Sequence, residues 1–532
     1  MGTLDDQSDQ LLRVAIETPD RQFTHPFCKR EILIAKRSSG GLPAGKSLRS
    51  RLELNRMEII MATPEQYDAI VIGSGEAGKW MSWTLGGQGK RVITVEDKRI
   101  GGACPNVACL PSKNVVHSAK VASYFRRGAE FGIVYGDWHV DMAGVNARRQ
   151  KLVDDNLQVH LANFAKSHVE VVMGFGRFIA EKTIEVALNA GGTRTLRSGR
   201  IFLDTGSRAK VDPIPGLAES KPLTHVEALE LTVLPEHLLI LGGGFVGLEF
   251  AQAMRRFGAR VTVIERNSSI AHREDPDVIE GLEQLFADEG IAIVSNAPVT
   301  RVEGTSGMCV TLHASQPAGD TIISGSHLLV ATGRTPNTKN MGLEVVGIKT
   351  TPTGHIQVND RLETTVPGVW AMGDCAGSPH FTHISFDDFR TVRDNLAGAN
   401  RTTSGRQVPS CTFIDPELAH VGLTENEAKQ KGIAYRLAKV PMLANLRATT
   451  LSETRGFIKA LISENDRILG FTAFGTGTGE LLPVVQLAMS ADLPYTAIRS
   501  LIVSHPTISE GLVSLMAAVP PLTPVVPAPA SH

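Results

Sequence analysis

The chain has 532 residues, 42% hydrophobic, 20% charged and 5% aromatic, and 54 basic against 55 acidic side chains leave a formal net charge of −1. That balance excludes a basic nucleic-acid surface, and the scarcity of aromatic rings excludes a base-stacking one. No apolar run reaches the ~18–20 residues that cross a bilayer, so no membrane partner is expected and a cytoplasmic location is the default.

The length prior suggests three or four domains with room for a sizeable core. Of six cysteines, Cys28, Cys104, Cys109, Cys309, Cys375 and Cys411, only Cys104 and Cys109 lie close in sequence. A disulfide-stapled secreted scaffold is thereby excluded.

Residues 1–62 are polar and charge-mixed, with Ser38-Ser39-Gly40-Gly41-Leu42-Pro43 in the middle and no sustained apolar period. They are expected to be a disordered extension. The opening Met1 to Asp6 lacks a signal-peptide layout. Met57 and Met61 are candidate starts, because the compact fold signal begins only at Tyr67.

From Tyr67 the pattern sharpens. Asp68-Ala69-Ile70-Val71-Ile72 is a short buried strand, Gly73-Ser74-Gly75-Glu76-Ala77-Gly78 a glycine turn, and a helical run follows to about Gly87. Arg91 to Glu96 is a second strand ending in an acid. This is a dinucleotide fingerprint in its required strand, turn, helix and strand context. Gly73 allows the tight turn, Gly75 lets the backbone approach a pyrophosphate, and Gly78 lets helix and strand pack. Glu96 is placed to take a ribose hydroxyl pair.

Five residues later begins Gly101-Gly102-Ala103-Cys104-Pro105-Asn106-Val107-Ala108-Cys109-Leu110-Pro111-Ser112-Lys113. A helix starting near Cys104 would hold both cysteines within about one and a half turns, and an irregular first turn would let their sulfurs bond. Its positive end favours a thiolate. Redox pair and structural pair both remain open on spacing alone. Zinc is disfavoured, because no second Cys or His pair is nearby, and no metal site is expected.

Residues 115 to about 170 read as amphipathic helix, with Arg126-Arg127 and Arg148-Arg149 expected on a solvated face. A β-rich segment then ends in the turn at Gly206. A second fingerprint follows: strand His237–Leu241, turn Gly242-Gly243-Gly244-Phe245-Val246-Gly247, helix Leu248–Phe257 and strand Val261–Glu265. Gly73 to Glu96 and Gly242 to Glu265 are both separations of 23 positions, the mark of a duplicated unit. Glu265 favours NADH over NADPH, because a carboxylate repels a 2′-phosphate, although Arg266 and Arg273 could reach one.

Strand and turn recur at Leu328 to Asn337, around Gly333, and at Gly368 to Ala376, where Asp374 ends a strand facing the ligand crevice. From about Gln407 nucleotide signals cease and an α+β domain is expected. The proline-rich Val519 to His532 reads as a flexible tail.

Two dinucleotide folds around a dithiol divide redox work between nicotinamide and flavin. On these motifs Tyr67 to about Met516 resembles the FAD-dependent class I pyridine nucleotide–disulfide oxidoreductases, a family that includes dihydrolipoamide dehydrogenase, glutathione reductase and mercuric reductase. The resemblance implies an α/β fold of two doubly wound Rossmann-type domains plus a C-terminal α+β dimerisation domain. Expected boundaries are 63–210 for the first FAD-binding part, 211–330 for the NAD(P)-binding domain, 331–400 for the central FAD part, 401–517 for dimerisation and 518–532 for the tail.

The resemblance further implies FAD on Gly73, Gly75, Gly78, Glu96 and Asp374, the nicotinamide cofactor, NADH or NADPH, on Gly242, Gly244, Gly247 and Glu265, and Gly206 and Gly333 as further cofactor-binding positions. Cys109 matches the cysteine nearer the flavin and Cys104 the outer one that meets substrate. Lys113 and Glu249 match an ion pair near the flavin, and Phe245 a gate over the nicotinamide pocket. His505 and Glu510 match a His-Pro-Thr-x-x-Glu element in which one subunit's histidine serves the other's thiols, which makes a homodimer part of the mechanism.

The implied enzyme passes electrons from NAD(P)H through FAD to the cysteine pair and on to a small disulfide, dithiol or soft-metal substrate. Overall similarity, including His383 to Arg390, is to mercuric-reductase-like proteins. Departures exist: Cys28 stands alone, no cysteine follows Cys411, His505 stands where mercuric reductases tend to carry Tyr, and Ala108 replaces a usual Gly. Dihydrolipoamide dehydrogenase, a flavin-based quinone reductase and a non-enzymatic thiol redox sensor are the alternative readings.

Overall fold

The computed structural model describes residues 63–317 and 319–522. The expectations for residues 1–62, with Cys28, and for residues 523–532 of the tail lie outside the described residues.

An eight-stranded sheet carries the first fingerprint. Its parallel heart runs Glu170–Ala180, Val92–Glu96, Ala69–Ile72, Ile201–Leu203, Val369–Ala371 in spatial order. Glu170–Ala180 also pairs antiparallel with Thr183–Leu188, which continues through Thr193–Ser198 to Glu65–Tyr67, so a meander is fused to one edge. Ala69–Ile72 and Ile201–Leu203 are buried at every position, which is why they read as unbroken apolar runs without alternation. The chain leaves Ala69–Ile72 with neighbours on both sides, and a ligand crevice opens at the carboxyl ends of such strands.

The second fingerprint lies in a four-stranded parallel sheet ordered Ala292–Val294, Arg260–Ile264, His237–Leu241, His327–Val330. Beside it is an antiparallel three-stranded sheet from Val299–Thr305 through Gly319–Gly325. Residues 410–475 form a five-stranded antiparallel sheet, ordered Ser410–Thr412, Glu417–Gly422, Ile468–Gly475, Phe457–Ile462, Arg436–Pro441. The helices Leu482–Ser490 and Glu510–Ala517 pack their buried faces into the core of this last sheet.

A buried charge cluster ties this last sheet to the nicotinamide-type half. Lys459, fully buried, donates to Asp275 at 2.9 Å, Asp277 at 2.7 Å and Glu425 at 2.8 Å. Asp275 also accepts the backbone N–H groups of Glu425 and Asn426.

Two expectations for residues 115–170 are corrected. The helical stretch is two helices, Cys109–Arg126 and Met142–Lys166, separated by a short 3₁₀ turn and irregular chain. Arg149 is 4% exposed instead of solvated, held by Asn146 and Gln150, while Arg148 reaches across to Asn114 and Ser118. Arg148 thus takes the side facing the helix Cys109–Arg126, while Arg149 is buried near Glu230 and Arg99, and a pair of like residues in sequence does not reveal which is covered.

Candidate active site

Three glycines of the first turn have no room for a side chain. A Cβ on Gly73, at φ +97°, would sit 2.1 Å from the Asp204 carbonyl oxygen; on Gly75, 2.6 Å from Asp204 Oδ2; on Gly78, 2.2 Å from the Gly73 carbonyl oxygen. Chain and helix are thus brought to backbone contact at the crevice mouth, the cradle a pyrophosphate requires. Glu96 accepts from the Ser74 amide at 2.9 Å, the Ser74 hydroxyl at 2.7 Å and the amides of Lys98 and Arg99. Its carboxylate therefore ties the glycine turn to the loop leading to the cysteines.

Asp374 follows strand Val369–Ala371 and meets the Ser207 hydroxyl, with Arg334 Nε 3.6 Å away. Arg334 also donates to Ser207 Oγ at 2.6 Å. Gly206 at φ +65° and Gly333 at φ +132° allow the two flanking turns, and neither has a neighbour within 4 Å of a would-be Cβ. The donor set and the open turns fit a dinucleotide such as FAD.

The second turn repeats the design. A Cβ on Gly242 would lie 2.6 Å from the Ala331 carbonyl oxygen, and on Gly247 2.2 Å from that of Gly242, whereas Gly244 faces open space. Glu265 Oε2 accepts from the Gly243 amide at 2.7 Å and Oε1 from the Asn267 amide and side chain. Phe245 opens the helix Phe245–Phe257 and is 36% exposed.

The redox stretch packs directly on the first turn. Gly102, at φ +75°, would carry a Cβ 2.6 Å from the Gly75 Cα, and the Gly101 amide donates to Ser74 Oγ at 2.9 Å. The expected single helix is corrected: Ala103–Val107 is a short helix, Ala108 breaks it at φ −132°, ψ −104°, and Cys109 starts the helix Cys109–Arg126. Pro111 supplies the reason, because its ring excludes the Val107 carbonyl from a continuous helix and its missing N–H is tolerated only in a first turn. Cys109 rather than Cys104 therefore stands at the start of the long helix, where the helix dipole favours a thiolate.

Both sulfurs are free thiols of intermediate exposure. The Cys109 thiol is held low by the hydrogen bond from Cys104, by the Thr382 hydroxyl and by the Lys113 charge, against its burial. Cys104 is pushed up by that same bond, by burial and by the Cys109 charge. The proton of the pair thus resides on Cys104 and the negative charge on Cys109.

Lys113 lies four residues after Cys109, on the same helix face. It donates to Glu249 at 2.8 and 3.0 Å, and Glu249 also accepts the Phe413 amide at 2.8 Å. The lysine Nζ sits 4.8 Å from the Phe413 ring centroid.

Thr382 is the site residue that sequence reasoning missed. It begins the helix Thr382–Leu396, and its hydroxyl lies 3.1 Å from Cys109 Sγ. Its one sequence signal is its place immediately before the stretch His383 to Arg390.

His505 is 63% exposed and pairs through Nδ1 with Glu510 at 3.0 Å. Glu510 also accepts the Thr507 amide, and these two bonds hold its carboxyl below the usual range. Among the described residues no hydrogen bond joins His505 to either cysteine of its own chain.

Residues 67–388 match the family described as pyridine nucleotide-disulphide oxidoreductase, and residues 408–516 match its dimerisation domain. The chain is 34% identical over 461 residues to the probable pyridine nucleotide-disulfide oxidoreductase RclA of Escherichia coli (strain K12), covering 85% of this chain and 99% of that protein. It is 35% identical over 452 residues to mercuric reductase of Streptomyces lividans, covering 84% and 94%. Among solved structures, the Cu(II) complex of the HOCl-induced flavoprotein disulfide reductase RclA from Escherichia coli superposes with a TM-score of 0.78 at 33% identity, covering 85% of this chain and 99% of that one.

Proposed function

The chain belongs to the class I pyridine nucleotide–disulfide oxidoreductases, enzymes that use FAD and NAD(P)H, and from that premise we propose that it delivers electrons through the Cys104–Cys109 pair to a small disulfide, dithiol or soft-metal substrate. The single observation that carries this reading is the placement of the pair: the cysteine stretch packs on the first glycine turn, and Cys109 opens the long helix with the Thr382 hydroxyl 3.1 Å from its sulfur and Lys113 one turn on.

Gly73, Gly75, Gly78, Glu96, Gly206, Gly333 and Asp374 would hold FAD, and Gly242, Gly244, Gly247 and Glu265 the nicotinamide cofactor. When bound, FAD supplies the relay that accepts a hydride from NAD(P)H and passes the electron pair to sulfur. The Lys113–Glu249 ion pair and Thr382 hold Cys109 as the thiolate on the cofactor side.

Cys104, once relieved of its proton, attacks one sulfur of a substrate disulfide. The substrate S–S bond breaks, and the first thiol leaves with a proton. Cys109 then attacks the Cys104 sulfur, the mixed disulfide breaks, the second thiol leaves, and the Cys104–Cys109 disulfide forms. His505 of the partner subunit, oriented by Glu510, is the group proposed to carry those protons, and the dimerisation domain supports a homodimer. The three sheet systems support the proposed division at 63–210 with 331–400, 211–330 and 401–517.

Two thiols at this spacing also suit a soft cation. Copper and mercury enter as candidate substrates from the names of the relatives. The test is NADH and NADPH consumption by the purified yellow protein with glutathione disulfide, lipoamide, Cu(II), Hg(II) with excess thiol, and quinones. Sustained turnover with a disulfide or metal, lost in Cys104→Ser, supports the proposal; turnover with quinones alone contradicts it, and a single reduction without turnover would indicate a sensor.

A further inference from the structure

Four carboxyl groups surround the first nucleotide-binding turn: Glu76, Asp204, Asp374 and Asp388. Three carry their own cation. Lys79 lies 2.8 Å from Glu76, Arg334 3.6 Å from Asp374, and Arg406 2.5 Å from Asp388. Asp204 has no cationic partner among the described residues, although it is buried deeper than Glu76 or Asp374.

Its setting is a tight one. Asp204 follows strand Ile201–Leu203 at the carboxyl edge, where the crevice opens. Oδ2 accepts the Gly78 amide at 2.7 Å and would touch a Cβ on Gly75 at 2.6 Å; Oδ1 lies 3.1 Å from a would-be Cβ on Gly373 and has no hydrogen-bond partner among the described residues. The Ala77 amide is already taken by Ser385 Oγ. Side chains thus occupy two amides of the helix start that would otherwise greet a phosphate.

An ionised carboxylate here would face a pyrophosphate dianion across a glycine turn, with no cation to offset it. Like charges at such a distance disfavour one another's ionisation. We propose that Asp204 is kept as a neutral carboxylic acid, accepting from Gly78 through one oxygen and donating from the other to a phosphate oxygen of bound FAD. A carboxylic acid held neutral in an apolar setting acts as a hydrogen-bond donor.

Burial, with Asp374, Glu76 and Asp388 nearby, pushes the Asp204 carboxyl well above its usual range. The other titratable group against it, the Cys375 thiol, is itself pushed up to about 12 by burial. FAD binding takes the protonated form, so affinity is full while Asp204 is protonated and declines as pH rises through its titration in the FAD-free protein. The inference rests on FAD being the family cofactor and adds the protonation state that its phosphate turn requires.

The experiment strips FAD from the full-length protein and follows rebinding by flavin fluorescence in wild type, Asp204→Asn and Asp204→Ala across neutral and alkaline pH. Asparagine keeps the shape, one acceptor and one donor. It is expected to bind FAD within about threefold of wild type at neutral pH and to lose the alkaline decline, while alanine weakens binding by about tenfold or more. Infrared spectra of wild type should contain a protonated-carboxyl band that Asp204→Asn removes, a readout that stands even if the alanine variant does not fold. Tightening by tenfold in Asp204→Asn, an alkaline decline shared by both proteins, or absence of that band overturns the proposal. Wild type that binds no FAD at any pH overturns the family-level reading as well, so the two failures are distinguishable.

Discussion

Thr382 and Cys109 lie 273 positions apart in sequence, yet the threonine hydroxyl stands 3.1 Å from the cysteine sulfur. Thr382→Val keeps the volume and removes the hydroxyl. A hydrogen bond to a charged group is worth about 1.5–3 kcal/mol, so the Cys109 titration should rise by about one unit or more. The thiolate is present above its titration point, which is lowered from the usual thiol range in the wild type, and is lost as pH falls through it; the variant should lose it at higher pH. Ultraviolet thiolate absorbance against pH measures this, and Thr382→Ser should restore the wild-type curve.

Lys113→Met removes the charge that helps hold Cys109 ionised and leaves Glu249 with the Phe413 amide as its remaining partner. The Cys109 titration should rise here too, and NADH-driven reduction of the Cys104–Cys109 disulfide should slow by about tenfold. Stopped-flow reduction at several pH values separates the two effects: a purely structural lysine would leave the titration where it is.

The nucleotide turns were legible because their glycines are demanded by backbone contact, as at Gly73 and Gly242, and such contacts leave a local pattern. The cysteine pair was legible for the same reason of proximity. Thr382 was not, because nothing in the local pattern ties the first residue of the helix Thr382–Leu396 to Cys109, and only the tertiary fold brings the two together. The helix break at Ala108 has its local cause in Pro111, whose ring bars the Val107 carbonyl from a continuous helix, whereas alanine itself is a strong helix former and marks no break. Arg149 shows the limit from the other side: its burial follows from helix packing that no spacing of two adjacent arginines encodes.

Cofactor choice turns on Glu265, whose carboxylate is fixed by the Gly243 and Asn267 amides. A 2′-phosphate near that fixed charge is repelled, and NADH should exceed NADPH in kcat/KM by at least about tenfold. Glu265→Ser should shrink the ratio chiefly through the KM for NADPH. A wild type that prefers NADPH would point instead to Arg266 or Arg273.

Lys459→Met leaves three carboxylates without their shared cation, and breaking such a buried pairing costs about 3–5 kcal/mol. Asp275 and Asp277 are held below the usual carboxylate range by Lys459 and, for Asp277, Lys439. Their contribution is therefore present above the unfolded carboxylate range and is lost as pH falls through their lower folded values. Urea denaturation of wild type should weaken in acid accordingly, and the variant should unfold at lower urea even at neutral pH.

The central claim is the division of labour between the two sulfurs, and paired measurements on Cys104→Ser and Cys109→Ser test it most directly. With FAD bound and NADH supplied, Cys104→Ser should keep the long-wavelength absorbance of a thiolate beside flavin while losing turnover with a disulfide substrate. Cys109→Ser should lose both. Turnover surviving in Cys104→Ser, or the thiolate band surviving in Cys109→Ser, would contradict the account.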